Sequence, residues 1–281
     1  MKEMILKIWQ KWFGEKEVLK QESQASCDLH TPSPSREGKQ NKVSRTMLED
    51  LEVCLFSNYA FRFNVLTEQT EYRKKGESVF HLVDQRALNT FCMEARKQGV
   101  NCWDKDVSRL LLSQQIADFH PFSDYMEKLP EWDGVDRVSE LARRVSDEAL
   151  WISAFHRWML GMVAQWMKLE GQCANAVAPL LVSTEQGRCK STFCSIILPE
   201  ELQRFYIDKF DLTSVSGCEQ KLSQFGLINM DEFDRYSVRS MANLKNLMQL
   251  KKLTFRKSHR SYYSQLPRIA SFIGTSNQKE L

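Results

Sequence analysis

The sequence predicts an α/β domain that follows a small α+β unit of helices and a hairpin. Three apolar segments of strand length, which end at Ser183, Met230 and Thr275, follow one another at intervals of roughly 45 residues. A helical pattern begins at Lys190, after the loop that leaves the first of these segments. A strand, a loop and a helix, followed by further apolar strands at such intervals, are typical of a sheet covered by helices.

The composition excludes several classes of protein. Of the 281 residues, 42% are hydrophobic and 27% are charged, which allows a core and excludes global disorder. With 11 glycines and 7 prolines the chain is not collagen-like, and no apolar run reaches the ~18 residues of a membrane span. Lysine and glutamate interrupt the first 20 residues, and the eight cysteines contain no CxxC pair. We therefore expect a cytoplasmic protein with free thiols and no transmembrane segment.

The first 45 residues form a lead that differs from the rest of the chain. Met1–Phe13 has apolar residues at helical spacing and lysines between them, and Gly14 follows, so an amphipathic helix is expected. That helix could contact a membrane surface or a partner, or pack on its own protein. Residues 15–45 are polar and contain a TPSPS run, which predicts a disordered linker.

Residues 46–125 are predicted to form the α+β unit, which could be winged-helix-like. A helix is expected over Met47–Leu55, followed by strands over Ala60–Leu66 and Val79–Val83. Asp84 is expected to cap a helix that runs to Gln98, and Asp106 is expected to open another that runs to Asp118.

The second domain is expected to span residues 126–281. Helices are predicted over Val138–Val145 and Leu150–Leu169, and the broad apolar stripe of the second indicates packing. Three strands and one helix follow, and their expected bounds are Ala176–Ser183, Lys190–Leu198, Gly226–Met230 and Ala270–Thr275.

The loop before the predicted helix at Lys190 has features of a phosphate-binding loop. Such a loop needs backbone N–H groups aimed at phosphate, a lysine for the phosphate oxygens and a hydroxyl for Mg²⁺. Lys190 and Ser191 fit the last two requirements, whereas Thr184 and Cys189 occupy the positions of the usual glycines. Taken alone, the pattern is also compatible with a chance Lys-Ser-Thr at a helix start. The candidate nucleotide-binding residues are Thr184, Glu185, Gln186, Gly187, Arg188, Cys189, Lys190, Ser191 and Thr192.

Two further apolar strands end in polar residues that complete this pattern. Asp231 and Glu232 follow one strand, and we expect Asp231 and Ser191 to hold Mg²⁺ while Glu232 orients the attacking water. Asn277 follows the other strand and is expected beside the γ-phosphate. The combination predicts ATP and Mg²⁺ as cofactors, with Lys190, Glu232 and Asn277 as the catalytic residues.

The order and spacing of these motifs resemble those of superfamily 3 helicases, which are relatives of AAA+ ATPases. More narrowly, the chain resembles the virulence-associated protein E family of phage and mobile-element ATPases. The Gln-Gly-x-x-Lys-Ser-Thr-Phe loop, Asp231-Glu232 and the Gly-Thr-Ser-Asn run ending at Asn277 match its ATPase motifs, and residues 120–137 look like its linker. The resemblance implies a P-loop NTPase core of the AAA+/superfamily 3 type after the α+β module.

The same resemblance implies an ATP-driven role on DNA in the replication of a mobile element or prophage. It also implies head-to-tail homo-oligomeric rings and work beside primase or other replication proteins. In these families further sheet, helix and arginines follow the position of Asn277, whereas this sequence ends four residues later. We therefore expect a hydrolysis site that is incomplete in this chain, and leave open a truncated, non-catalytic protein that binds DNA or a partner.

A basic block separates Asp231-Glu232 from Asn277. Residues 235–268 contain nine Lys or Arg and no Asp or Glu, which suggests a local polyanion site. The resemblance implies a DNA-gripping hairpin here, in which cations neutralise phosphates and Phe255, Tyr262 and Tyr263 stack on bases. The alternative is an exposed basic helix and loop without such a role. The candidate DNA-binding residues are Lys251, Lys252, Arg256, Lys257 and Arg260.

Overall fold

The computed structural model describes residues 46–168, 174–212, 215–256 and 261–278. The helix predicted at Met1–Phe13, the linker at 15–45, and the basic residues Lys257 and Arg260 lie outside the described residues. The described chain forms two compact units, one ending at Phe119 and the other beginning at His120.

The first unit is a four-stranded sheet with three helices. The strand order is β3-β2-β1-β4, in which β1 pairs antiparallel with β2 and parallel with β4. Its elements are α1 (Met47–Asn58), β1 (Tyr59–Asn64), β2 (Gln69–Lys74), β3 (His81–Leu82), α2 (Gln85–Lys97), α3 (Asp104–Leu111) and β4 (Asp118–Phe119).

Local signals explain where the helices of this unit begin and end. The Asp84 carboxylate accepts a 2.7 Å hydrogen bond from the backbone N–H of Ala87, which confirms the predicted cap of α2. Gly99 follows that helix with a φ of 89°, in the left-handed region that glycine favours. The helix predicted over Asp106–Asp118 begins two residues earlier, at Asp104. Its predicted end is wrong, because α3 ends at Leu111 and Asp118 pairs with Phe63 of β1.

A buried carboxylate organises the sheet of the first unit. Glu71 accepts hydrogen bonds from Arg62 at 2.7 Å and from Asn64 at 2.9 Å, so its charge is paired inside the protein. The guanidinium of Arg62 also lies 3.8 Å from the ring centroid of Phe80 and 3.5 Å from that of Phe119. The buried Glu71 carboxylate is therefore compensated by a partly buried guanidinium and a buried amide.

The second unit contains a parallel sheet with helices and an additional hairpin. Its elements are α4 (Pro121–Lys128), α5 (Arg137–Arg143), α6 (Ala149–Trp166), β5 (Leu180–Val182), α7 (Lys190–Ile196), β6 (Tyr206–Ile207), α8 (Val215–Gln224), β7 (Leu227–Met230), α9 (Val238–Gln249), β8 (Lys252–Arg256), β9 (Tyr263–Pro267) and β10 (Ser271–Ser276). Short 3₁₀ turns cover Glu200–Phe205 and Phe233–Arg235. No helix within the described ranges combines the length and apolarity needed to cross a bilayer.

The strand order of the parallel sheet is β5-β10-β7-β6. The last strand in the chain, β10, therefore lies between β5 and β7, with Ser276 opposite Val182 and Gly274 opposite Met230. All neighbouring strands are parallel, so the segments that leave β5, β7 and β10 start from the same edge of the sheet. The predicted α/β class is confirmed.

The apolar stripe of α6 packs into the core, as predicted. Trp166 stacks on Phe122 with ring centroids 4.5 Å apart, and its indole N–H donates a 3.0 Å hydrogen bond to the carbonyl of Gly226. Gly226 directly precedes β7, so this contact holds the start of the strand against the helix. The buried residues of the stripe are Phe155, Trp158, Met159, Met162, Val163 and Trp166.

We expect Gly226→Ala to destabilise the chain by about 1–3 kcal/mol, because the site is already filled. A Cβ there would lie 2.3 Å from the ring of Phe122, which is fully buried and cannot move away freely. Urea unfolding measures the change in free energy. The same substitution in a Phe122→Leu background should cost less, and an unchanged unfolding midpoint would contradict the packing argument.

Candidate functional site

An exposed loop joins β5 to α7 and contains two left-handed residues. Gly187 has φ of 77° and Cys189 has φ of 54° with ψ of 28°. The backbone N–H of Glu185 donates to the Ser183 hydroxyl at 3.2 Å, and the Glu185 carboxylate forms an ion pair with Arg188. Because residues 184 to 189 are all exposed, a ligand can reach this 183–189 loop from solvent.

Lys190 connects this loop to the end of β10. Its ammonium group donates a 3.1 Å hydrogen bond to the carbonyl of Ser183 and a 2.9 Å hydrogen bond to the side-chain Oδ1 of Asn277. The two acceptors are more than ninety residues apart in the sequence, and each directly follows one of two neighbouring strands, β5 and β10. The predicted lysine and the predicted amide are therefore in direct contact.

Asp231, at the end of β7, accepts hydrogen bonds from two hydroxyl groups. The Ser191 hydroxyl donates to its Oδ1 at 3.0 Å, and the Thr275 hydroxyl donates to the same oxygen. The Thr275 hydroxyl also accepts a 3.4 Å hydrogen bond from the backbone N–H of Glu232. Both predicted metal ligands thus meet at one point, between α7 and the ends of two strands.

Glu232 has a left-handed backbone, with φ of 52° and ψ of 50°. Its carboxylate lies 2.5 Å from a guanidinium nitrogen of Arg235, whose side chain is exposed, whereas the Glu232 side chain is about half-buried. The left-handed conformation turns the chain sharply after β7, so Glu232 leaves the sheet beside Asp231.

Two neighbouring residues of this site, Asp234 and Arg235, did not follow from the motifs. Asp234 accepts hydrogen bonds from Ser276 at 3.0 Å and from the backbone N–H of Asn277 at 3.3 Å. The sequence signal for these two residues is that they follow Asp231 within four positions. A chain that turns sharply at the end of a strand keeps such residues near the site.

The cysteines near the site differ strongly in environment. Cys194 on α7 is fully buried, and burial, followed by the nearby Asp231 carboxylate, raises the pKa of its thiol to about 12. Cys189 is exposed, whereas the other cysteines that the structure describes are buried. A reagent that needs a thiolate will therefore favour Cys189 over Cys194.

The described residues contain no cluster of acidic, histidine or cysteine side chains that would form a metal centre by itself. Within the described ranges, no group of three or more His, Cys, Asp or Glu side chains is placed to hold a metal ion. A divalent cation at Ser191 and Asp231 would therefore need further oxygen ligands, of the kind that phosphate groups and water supply to Mg²⁺.

The β8–β9 hairpin presents a basic face to solvent. The strands pair antiparallel, with Arg256 opposite Tyr263 and Lys252 opposite Pro267. Lys251, Lys252 and Arg256 are exposed, and the exposed fractions of Tyr262 and Tyr263 are 55% and 70%. The polar face therefore combines cations with two accessible aromatic rings.

Two residues between positions 235 and 268 are buried and do not belong to the exposed basic face. Phe255 is 2% exposed and belongs to a hydrophobic core, so the expectation that it stacks on bases is wrong. Arg268 is also 2% exposed, and burial lowers the pKa of its guanidinium to about 10. Its Nη2 atom donates to Gln165 at 3.0 Å and to the carbonyl of Asn175 at 2.9 Å, which is a structural role. The charge available at the surface is thus smaller than the count of the block suggests.

The fold and the site together define a mixed α/β protein with polar residues gathered at one edge of a parallel sheet. The chain belongs to the virulence-associated protein E-like domain family, whose model matches residues 126–281. This match confirms the resemblance carried by the motifs. No curated protein matches the chain.

A solved structure of the NrS-1 C-terminal region is similar in fold. One apo structure of that region is 13% identical with a TM-score of 0.50, and the match covers 84% of this chain and 58% of that chain. Another, described as an A form apo structure, is 12% identical with a TM-score of 0.48, and the match covers 83% of this chain and 57% of that one. The present chain therefore spans somewhat more than half the length of these structures, and at this identity the likeness concerns the fold.

Proposed function

We propose that the chain binds ATP with Mg²⁺ at this edge of the sheet and acts as a helicase-like ATPase on DNA during replication of a mobile element or prophage. The observation that carries the proposal is the 2.9 Å contact between Lys190 and Asn277, with Ser191 and Asp231 in contact at 3.0 Å beside it. Residues predicted from three separate motifs meet at one site. Membership of the virulence-associated protein E-like family supports the same role.

Phosphate binding would use the 183–189 loop and Lys190. The exposed backbone of the loop offers N–H donors, and the ammonium group of Lys190 offers a positive charge at its end. Phosphate oxygens would replace neutral acceptors, namely the Ser183 carbonyl and the Asn277 amide, as partners of Lys190. A phosphate oxygen carries negative charge, whereas these two acceptors are neutral, so the ammonium group forms the stronger hydrogen bond with phosphate.

The metal and the attacking water would lie on the β7 side of the site. Ser191 and Asp231 are the residues suited to hold Mg²⁺, which would neutralise charge on the phosphates. Glu232 is suited to orient water once its ion pair with Arg235 opens.

The DNA contact is assigned to the exposed face of the β8–β9 hairpin. Lys251, Lys252 and Arg256 would neutralise phosphates, and Tyr262 and Tyr263 would stack on unpaired bases. Assembly into a ring and contact with other replication proteins stay predictions.

A second candidate is a protein that grips DNA without turnover. The observation that favours it is the cysteine at position 189, which has a left-handed backbone where nucleotide loops use glycine. In that case nucleotide binding would be weak, whereas the basic hairpin would still bind DNA.

Nucleotide should protect the Cys189 thiol from alkylation. In a Cys27→Ser, Cys173→Ser background, which removes the thiols outside the described residues, we expect N-ethylmaleimide to label Cys189 preferentially. Mg-ATPγS at ten times its dissociation constant should slow this labelling about tenfold, because only the free form reacts. Labelling followed by peptide mass spectrometry measures the rate, and an unchanged rate in saturating nucleotide would place any nucleotide elsewhere.

Replacing the cysteine by glycine should improve nucleotide binding. We expect Cys189→Gly to raise the affinity for Mg-ATPγS about tenfold, because a backbone without Cβ can approach phosphate more closely. Cys189→Ala is the matched control, since it removes the thiol but keeps Cβ, and it should stay near the original affinity. Equal affinities for all three chains in calorimetric titrations would count against phosphate binding by this loop.

A further inference from the structure

One carboxylate oxygen fastens the turn after β7 to the end of β10. Oδ1 of Asp234 accepts a 3.0 Å hydrogen bond from the hydroxyl of Ser276 and a 3.3 Å hydrogen bond from the backbone N–H of Asn277. The Ser276 hydroxyl in turn accepts a 3.0 Å hydrogen bond from the backbone N–H of Gln278. The end of β10 is therefore held on both sides of Asn277.

Asp234 contacts the backbone of Asn277 and not its side chain. The amide Oδ1 of Asn277 bonds to Lys190 at 2.9 Å, on the side of the 183–189 loop. Asn277 itself is exposed and lies just beyond the last residue of β10, so the ladder of the sheet does not fix it. Asp234, which follows the neighbouring strand β7, fixes the backbone of Asn277 instead.

The charge of Asp234 is retained by the same contacts. Desolvation raises the pKa of the Asp234 carboxyl, whereas the hydrogen bonds from Asn277 and Ser276 lower it, and the net result is a pKa below the ordinary value. The carboxylate is thus ionised at neutral pH and is a strong acceptor for the backbone N–H of Asn277. Arg235, the next residue, pairs with Glu232 instead.

We propose that Asp234 is a positioning residue that fixes Asn277 for contact with the γ-phosphate and so sets the preference of the site for nucleoside triphosphate over diphosphate. This inference rests on the proposed nucleotide-binding function. Lys190 can bind phosphate groups that triphosphate and diphosphate have in common, whereas Asn277 is expected to contact only the γ-phosphate. Loss of the Asp234 contact should therefore weaken triphosphate binding selectively.

The test is calorimetric titration of the full chain with Mg-ATPγS and with Mg-ADP, repeated for Asp234→Ala, Asp234→Asn and Asn277→Ala. We expect Asp234→Ala to weaken ATPγS binding about tenfold and to change ADP binding less than about twofold. Asn277→Ala should show the same selective loss. Asp234→Asn keeps an acceptor oxygen for Ser276 and for the backbone N–H of Asn277, so it should restore most of the preference.

Other outcomes separate the inference from the function on which it rests. Equal losses for ATPγS and ADP in Asp234→Ala, or no loss, would overturn the positioning role, as would an Asp234→Asn variant as weak as the alanine variant. An original chain that binds ATPγS and ADP equally well would overturn the inference and leave the nucleotide site in place. A chain that binds neither ligand would overturn the proposed function and the inference together.

Discussion

Neutralising the exposed cations of the β8–β9 hairpin will weaken binding to single-stranded DNA about 100-fold near 0.1 M salt. The variant carries glutamine at Lys251, Lys252 and Arg256, which are exposed on the hairpin or directly before it. Each phosphate contact on a single strand contributes about 0.7 to the salt slope, so three lost contacts should reduce the slope by about 2. Fluorescence anisotropy with a labelled oligothymidine at several salt concentrations measures both quantities.

A charge-matched control separates local contact from general attraction. Glutamine at Lys128, Arg143 and Arg144 removes the same charge from exposed positions on α4 and at the end of α5. We expect this control to shift affinity only slightly. Equal losses in the two variants, or an unchanged affinity and salt slope in the hairpin variant, would refute the assigned DNA face.

Asp231→Asn will remove most of the benefit that Mg²⁺ gives to ATPγS binding. The Oδ1 atom of Asp231 accepts a hydrogen bond from the Ser191 hydroxyl at 3.0 Å. The carboxylate oxygen and the hydroxyl oxygen are therefore close enough to bind the same cation. Loss of the carboxylate charge should reduce the affinity for Mg-ATPγS at least about tenfold. Even residues that only hydrogen-bond to metal ligands contribute about this much to metal affinity. Titrations with and without EDTA measure how much of the affinity depends on the metal.

The control for this variant is Asp147→Asn, an exposed aspartate between α5 and α6. It should keep the full difference between titrations with and without Mg²⁺. A similar magnesium dependence in Asp231→Asn and in the original chain would show that the metal does not use this carboxylate.

The meeting of Lys190, Asp231 and Asn277 could be predicted because each follows an apolar strand. In a parallel sheet the carboxyl ends of strands share one edge, so residues placed there come together without further information. The extent of the strands was less accessible. Within the predicted segment Ala176–Ser183, only Leu180–Val182 forms a strand, because the register begins with Gly274 opposite Leu180.

The roles of Asp234, Phe255 and Arg268 depend on three-dimensional contacts that charge counts do not contain. Phe255 alternates with Lys252, Thr254 and Arg256 along β8, so the hairpin itself implied that its ring faces inward. Arg268 is buried by segments roughly a hundred residues earlier in the chain, among them Gln165 and Asn175. No local pattern distinguishes it from the exposed cations nearby.

Calorimetric titration with Mg-ATPγS, comparing the original chain with Lys190→Ala, tests the central claim most directly. Lys190 contacts both the 183–189 loop and Asn277, so it joins the proposed phosphate loop to the residue expected beside the γ-phosphate. We predict that the original chain binds one nucleotide and that the alanine variant binds at least about 100-fold more weakly, since a charged hydrogen-bonding partner is lost. Equal binding by both chains, or no binding by either, would contradict the account and would favour a DNA-binding protein without a nucleotide site.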